Sequence, residues 1–363
     1  MTVLKIGILT MHRCINYGSY WQTHYLVNGL RRLGHNVTVL DHESTLANLA
    51  EWRCAYRPVL PAPIPQCDYP EYRKKIVGFF KAIDELPLSA RFAFDTPGLV
   101  VDDYDMVIVG SDEVWNVSHP WYGKYPLFFG EGLQDSRLVS YAASFGNYPA
   151  ELGLDPSLVE KLRWFESVSV RDRNSQVIIM DNLDIEPELV LDPCLQFTIG
   201  DVPGLCTINQ PYVAVYGHNF SDSFVQKIRS WASAGNLQLI SIGYRNEWAD
   251  RQWLSADPFA FWHFMARCQV VVTNFFHGCV FALINRKPFG TEASPYRSQK
   301  INGLLMSVNA TDRIVGSHTS ASTLSGLLST PLGRDSYQRI EALRQNSWRF
   351  LEGALTSKHR QVV

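Results

Sequence analysis

Along the chain, short runs of consecutive apolar residues alternate with longer stretches in which apolar residues recur every three or four positions. The first pattern suits a strand buried on both faces, and the second an amphipathic helix. Residues 4–9 form such a strand and are followed by a polar loop, 10–17. A helical pattern then runs through Trp21, Tyr25, Leu26 and Leu30. Gly34 stops that helix and residues 37–40 supply a second strand, so the opening is a β-α-β unit with a right-handed crossover. Further strands are expected at 104–110 and 137–143, and residues 167–175 pass from strand into a helix N-terminus. Residues 188–197 close this half. A second set follows: a strand at 211–219, a helix at 221–235, a strand at 237–244, a helix at 259–267 and a strand at 270–273. The alternation predicts an α/β chain of two Rossmann-like doubly wound domains, 1–197 and 211–334, hinged near 198–210. The last helical pattern, 335–355, is expected to pack back onto the first domain. Residues 53–70 hold five prolines and no periodicity, which predicts a long surface loop and a candidate lid.

Composition narrows the function classes. Lys plus Arg number 33 and Asp plus Glu 35, a net charge of −2, so no global field draws nucleic acid or an anionic membrane. No apolar run approaches a membrane span, which excludes integral membrane contact and leaves room for peripheral association. The seven cysteines are odd in number and scattered, with no CxxC pair. They read as reduced thiols of a cytoplasmic protein, and no metal cluster is expected.

In open α/β sheets, ligands bind beyond the carboxyl ends of the strands, against helix N-termini. If the two domains face a common cleft, several polar turns line it. In VVVTNFFHG (270–278), His277 stands where a strand gives way to the positive end of a helix, a place suited to proton exchange near neutrality. The plainer reading is a capping histidine. Gly278 would let a ligand approach the backbone. In GSDEVWN (110–116), Asp112 follows a small turn and suits a base or a hydroxyl-orienting group, or else an ordinary cap. Trp115 could stack on a sugar ring or lie in the core. Asn16, Tyr17 and Gly18 open the first helix, whose exposed amides suit a phosphate or a sugar hydroxyl. Arg171, Arg297 and Lys300 are candidate cations for an anionic donor, and His218 ends a strand. Asp41 holds the position of an acidic ribose contact, but the GxGxxG fingerprint is absent.

Taken in order, IGILTMHRCINYGSYWQ, LRRLGHNVTVLD, VIVGSDEVWN, LVSYAASFG, SVSVRDRNS, LVLDPCL and VVVTNFFHGCVFALINRKPF resemble the polysaccharide pyruvyl transferase family over most of the chain. The resemblance implies a glycosyltransferase-B-like architecture. It also implies transfer of the pyruvyl group of phosphoenolpyruvate to hydroxyls of a sugar or glycan precursor, with no cofactor beyond that co-substrate. It assigns His277 and Asp112 to catalysis. Donor binding falls to Asn274, Gly278, Arg171, Arg297, Lys300 and His218, and acceptor binding to Asn16, Tyr17, Gly18, Ser111, Trp115 and Asn116. The sequence departs from better-known members twice. Phe275-Phe276 replaces an arginine-bearing turn before the histidine, and Tyr216-Gly217-His218 replaces a strand ending in arginine. Two other activities fit the same fold: a glycosyltransferase using a nucleotide sugar, or a non-catalytic binder of glycans or phosphorylated ligands.

Overall fold

The structure, a computed structural model, describes residues 2–93, 104–123, 125–204, 208, 210–292 and 298–357. The chain divides into two compact units, one of residues 1–50, 84–199 and 341–363, the other of 51–83 and 200–340.

The first unit is built on a parallel sheet in the spatial order Asn36–Val39, Lys5–Leu9, Met106–Val109, Arg137–Ser140, Phe165–Ser167. These strands have few polar side chains because helices cover both faces, as a parallel sheet requires. The strand order reverses between Lys5–Leu9 and Met106–Val109, the point at which a doubly wound fold opens a crevice at its carboxyl edge. Two bridges, Asp112 to Ala143 and Ala143 to Val170, extend the sheet past its regular strands. A short parallel pair, Ser169–Val170 with Glu188–Leu189, continues it. Residues of the helix Arg334–Thr356 from position 341 onward belong to this unit. There Arg344 donates to the Leu195 carbonyl at 2.9 Å, and the Ser347 hydroxyl accepts from the Leu191 amide at 2.9 Å.

The second unit has a parallel sheet in the order Arg251–Trp253, Gln238–Ile242, Tyr212–Tyr216, Val270–Thr273, Phe289–Thr291. Its reversal lies between Tyr212–Tyr216 and Val270–Thr273. The helix Asp222–Ala234 shows why such a sequence folds this way. Ser221 caps it by accepting from the Phe224 amide, and Phe224, Ile228 and Ala232, four residues apart, are its buried face. Full burial of a side chain such as Phe224 or Ile228 is worth about 1.5–3 kcal/mol.

Residues 53–70 are not one long loop. A helix spans Thr45–Tyr56, and a second, Tyr69–Asp84, follows the proline-rich stretch. The second helix docks in the second unit, although its sequence lies in the first half of the chain. Asp68 pairs with Arg245 at 3.0 Å, the Tyr72 hydroxyl accepts from the Arg245 amide at 3.2 Å, and Lys75 donates to the Gly243 carbonyl at 3.0 Å. A continuous first domain over 1–197 is therefore corrected: residues 51–83 fold with the second unit.

Candidate functional site

The two turns richest in candidate chemistry each lie at a strand-order reversal, one in each unit. In the first unit, the Thr10 hydroxyl donates to the Ser111 carbonyl at 2.8 Å and so ties together the two turns that flank the crevice. Gly110 has φ +119°, and a Cβ there would meet the Tyr141 carbonyl oxygen at 2.3 Å, so only glycine fits. Asp112 follows at φ 81°, a left-handed conformation that a non-glycine residue holds only where its surroundings fix it. They do so through the carboxylate. One oxygen accepts from the Ser19 hydroxyl at 2.5 Å and the other from Arg171 at 2.9 Å.

Arg171 is buried and forks to a second acid, Asp192, at 3.0 Å. Burial opposes the guanidinium charge, but Asp112 and Asp192 outweigh it and hold Arg171 above its ordinary pKa. Asp192 in turn caps the turn Pro193–Gln196 by accepting from the Cys194 amide at 3.0 Å. The result is a fixed chain, Ser19–Asp112–Arg171–Asp192, that holds the Asp112 carboxylate in one orientation. Nearby, the buried Ser111 hydroxyl has no hydrogen-bond partner among the described residues.

Several expected contacts change role here. The amides of Gly18 and Ser19 are not available to a ligand, because the Asn16 side-chain oxygen Oδ1 accepts from both, at 2.8 and 3.3 Å. Tyr17 is buried. Trp115 is no stacking platform: it is fully buried among Phe129, Phe145 and Phe165, and its indole N–H donates to the Phe128 carbonyl at 2.9 Å. Asn116 spends its side chain on Glu113, at 2.8 Å, and on the Ser118 amide. Arg171 sits in the first unit with Asp112, not among the donor contacts expected of the second. Asp41 is gripped by Arg13 through two bonds of 2.7 Å, by His12 at 3.0 Å and by Arg91 at 3.2 Å, so it closes a structural cluster. Burial acts to raise its pKa, but His12 and Arg13 prevail and hold the carboxyl well below the usual range. Both nitrogens of His12 are engaged, one with the Thr10 carbonyl at 3.2 Å and the other with the Asp41 carboxylate at 3.0 Å.

In the second unit the turns after three neighbouring strands are stitched to one another. The Thr273 hydroxyl donates to the Tyr216 carbonyl at 2.6 Å and accepts from the Phe275 amide at 3.0 Å. Asn274 donates to the His218 carbonyl at 2.8 Å, and Asn246 to the Gly217 carbonyl at 2.9 Å. The rings of His218, Tyr244 and Phe275 lie 5.1–5.4 Å from one another and form a half-buried aromatic triad over the strand ends. His277 sits in the first turn of the helix Phe276–Ile284, 9% exposed, with its ring edge-on to Phe276 at 5.1 Å. No side chain caps that helix. Gly278 does not make room for a ligand, because a Cβ there would fall 1.9 Å from the Thr273 hydroxyl oxygen, part of its own fold. Lys300 lies on the helix Ser298–Ser307, and Arg297 falls outside the described residues.

The sequence reading missed Lys75. It is 2% exposed, with its ammonium 4.4 Å from the centre of the Tyr244 ring and bonded to the turn just before it. Burial lowers its pKa to about 7. Lys75 keeps its proton up to an ordinary pKa of about 10.5 when unfolded, so between pH 7 and that value the unfolded chain binds more protons and stability rises with pH. Below pH 7 the burial cost is present in full. Lys75→Met is therefore expected to flatten the rise in urea midpoint between pH 7 and 9.5, an effect of up to a few kcal/mol (about 1.4 per pKa unit). An identical pH slope in variant and parent would contradict the assignment.

No curated protein matches the sequence. Among solved structures, the fold resembles a putative UDP-N-acetylglucosamine 2-epimerase from Listeria monocytogenes, with 11% identity, 97% of this chain and 96% of that one covered, and a TM-score of 0.52. It also resembles MnaA of S. aureus in its structure with UDP, at 10% identity, 99% of both chains and a TM-score of 0.51. These likenesses fix the fold as glycosyltransferase-B-like, with two Rossmann-like domains. The profile described as polysaccharide pyruvyl transferase matches residues 16–291, which include Asp112, Arg171, Asp192 and His277. With well over half its length matched, the chain belongs to the polysaccharide pyruvyl transferase family and is a transferase.

Proposed function

We propose that this transferase moves the pyruvyl group of phosphoenolpyruvate to hydroxyls of a sugar or glycan precursor in the cytoplasm, with the acceptor at the crevice of the first unit and the donor at that of the second. The observation that carries this reading is the placement of Asp112 and His277, an oriented carboxylate and an imidazole, each at a strand-order reversal within a family of pyruvyl transferases. The chemistry needs a proton for the methylene carbon, which His277 supplies. Attack on C2 by an acceptor hydroxyl releases a proton, which Asp112 takes up. Loss of phosphate and attack by a second hydroxyl, whose proton leaves with the phosphate, complete the ketal. The uncapped helix Phe276–Ile284 presents its positive end to the donor anion, with Lys300 and Arg297 as the assigned cations. No helix among the described residues is long and apolar enough to cross a membrane.

One observation favours a nucleotide sugar as donor: the triad of His218, Tyr244 and Phe275 has the makings of a stacking surface for a base. A nucleotide donor on this fold would call for an acid that grips its ribose, and Glu292, just past the strand Phe289–Thr291, instead spends both carboxylate oxygens on Ser221, at 2.5 and 3.0 Å. Calorimetric titration with phosphoenolpyruvate, UDP and UDP-sugars separates the two readings. Binding of phosphoenolpyruvate alone is expected, and binding of a UDP-sugar without it would overturn the proposal.

A further inference from the structure

The helix Tyr69–Asp84 has two unlike faces. Tyr72, Lys75, Phe79 and Ile83 are buried in the second unit, while Arg73, Lys74, Val77 and Lys81 form an exposed stripe. The chain just before this helix adds to the same character. Trp52, Arg53 and Arg57 are exposed, and Val59 is 80% exposed. Contacts within the segment hold two of these residues in place: the Trp52 ring lies edge-on to Phe80 at 5.4 Å, and the Arg57 guanidinium sits 5.8 Å from the centre of the Tyr69 ring. Along the exposed stripe of the helix runs an open groove of 820 Å³, bordered by Tyr56, Tyr69, Arg73, Val77 and Lys81.

The charges do not cancel. Glu71 neutralises Lys74 at 2.5 Å, and the carboxylate of Asp257, also on the groove, is spent on capping the Ala260 amide at 2.7 Å. Arg53, Arg57, Arg73 and Lys81 make no ion pair with an acid among the described residues. Four such cations thus lie within one short segment of a chain whose net charge is −2. Large apolar side chains are set among them: Trp52 is 39% exposed and Val77 43%. A soluble anion or a nucleic acid would use the cations and leave Trp52, Val59 and Val77 in water. A bilayer with anionic headgroups uses both, because basic side chains meet the phosphates while tryptophan and valine enter the interface.

We propose that the segment 51–83 is a docking surface for anionic lipid bilayers, its groove receiving phospholipid headgroups. This surface stands whether or not phosphoenolpyruvate is the donor.

Sedimentation of the full chain with vesicles tests it. The protein is expected to bind vesicles with about 30% phosphatidylglycerol, to leave pure phosphatidylcholine unbound, and to be released by salt. Each basic side chain near such a surface is worth roughly fivefold in partitioning, so R73E/K81E should weaken binding by at least about 25-fold. Trp52→Ser, at an exposed position, should weaken it several-fold and leave more of the salt dependence intact. Circular dichroism confirms that the variants fold. Equal binding to both kinds of vesicle, or undiminished binding by R73E/K81E, overturns the proposal. So does tight binding of soluble polyphosphate that Trp52→Ser does not alter while vesicles stay unbound, an outcome that assigns the patch to a free polyanion.

Discussion

His277→Ala is expected to lower turnover about 10²–10⁴-fold, the usual cost of losing a positioned proton-transfer group. Structural side effects should be small. His277 occupies the first turn of the helix Phe276–Ile284, where alanine is an excellent helix former, and Thr273 and Asn274 hold the preceding turn without using the imidazole. Melting should therefore be nearly unchanged while consumption of phosphoenolpyruvate falls. The affinity for phosphoenolpyruvate should change far less than the rate if, as proposed, the group acts on the reacting carbon. Turnover within about fivefold of the parent, from a folded variant, would remove His277 from proton transfer.

Arg171→Met should act the other way, on stability first. The guanidinium lies between Asp112 and Asp192, and its removal leaves two buried carboxylates facing each other's field. Breaking a buried pair from one side typically costs about 3–5 kcal/mol, whereas exposed pairs cost under about 1 kcal/mol. Arg171→Lys keeps the charge but has a single ammonium where the fork now reaches two acids, so an intermediate loss is expected. Urea denaturation of the three proteins measures the series. Because Asp112 would lose the forked contact that orients it, activity under conditions where the lysine variant is folded should also fall. A methionine variant within about 1 kcal/mol of the parent would show that the ion chain is dispensable.

Much of the frame could be read from the sequence because apolar runs such as Val270–Thr273 and Met106–Val109 have no stable alternative to a buried strand. The turns that carry Asp112 and His277 follow directly from those strands, so their positions were legible too. What the side chains do inside the turns was not. Asn16 carries a plain helix-start signal, and that signal implies that its oxygen consumes the amides that were expected to be open to a ligand. The two-acid grip on Arg171 joins residues 59 and 21 positions away, and no local pattern encodes it. Trp115 illustrates the same limit: aromatic character suits a sugar platform and a core equally, and only packing against Phe145 and Phe165 decides for the core. The helix Tyr69–Asp84 did carry a readable stripe in Tyr72, Phe79 and Ile83. It was obscured by the prolines just before it and by charges that belong to its outer face.

The interleaving of the two units has a consequence for how the protein is made. The chain passes from one unit to the other four times, after residues 50, 83, 199 and 340. On the ribosome, the helix Tyr69–Asp84 therefore emerges long before the strands Tyr212–Tyr216 and Gln238–Ile242 that it is to join. Until then Tyr72, Phe79 and Ile83 form an uncovered apolar stripe on the nascent chain, the kind of surface that chaperones hold and that aggregates when they do not. A fragment cut at the midpoint of the sequence would carry that stripe permanently. Separating the two units by protein engineering calls for a rewired chain order, with 51–83 grafted onto 200–340, and a simple truncation would yield neither.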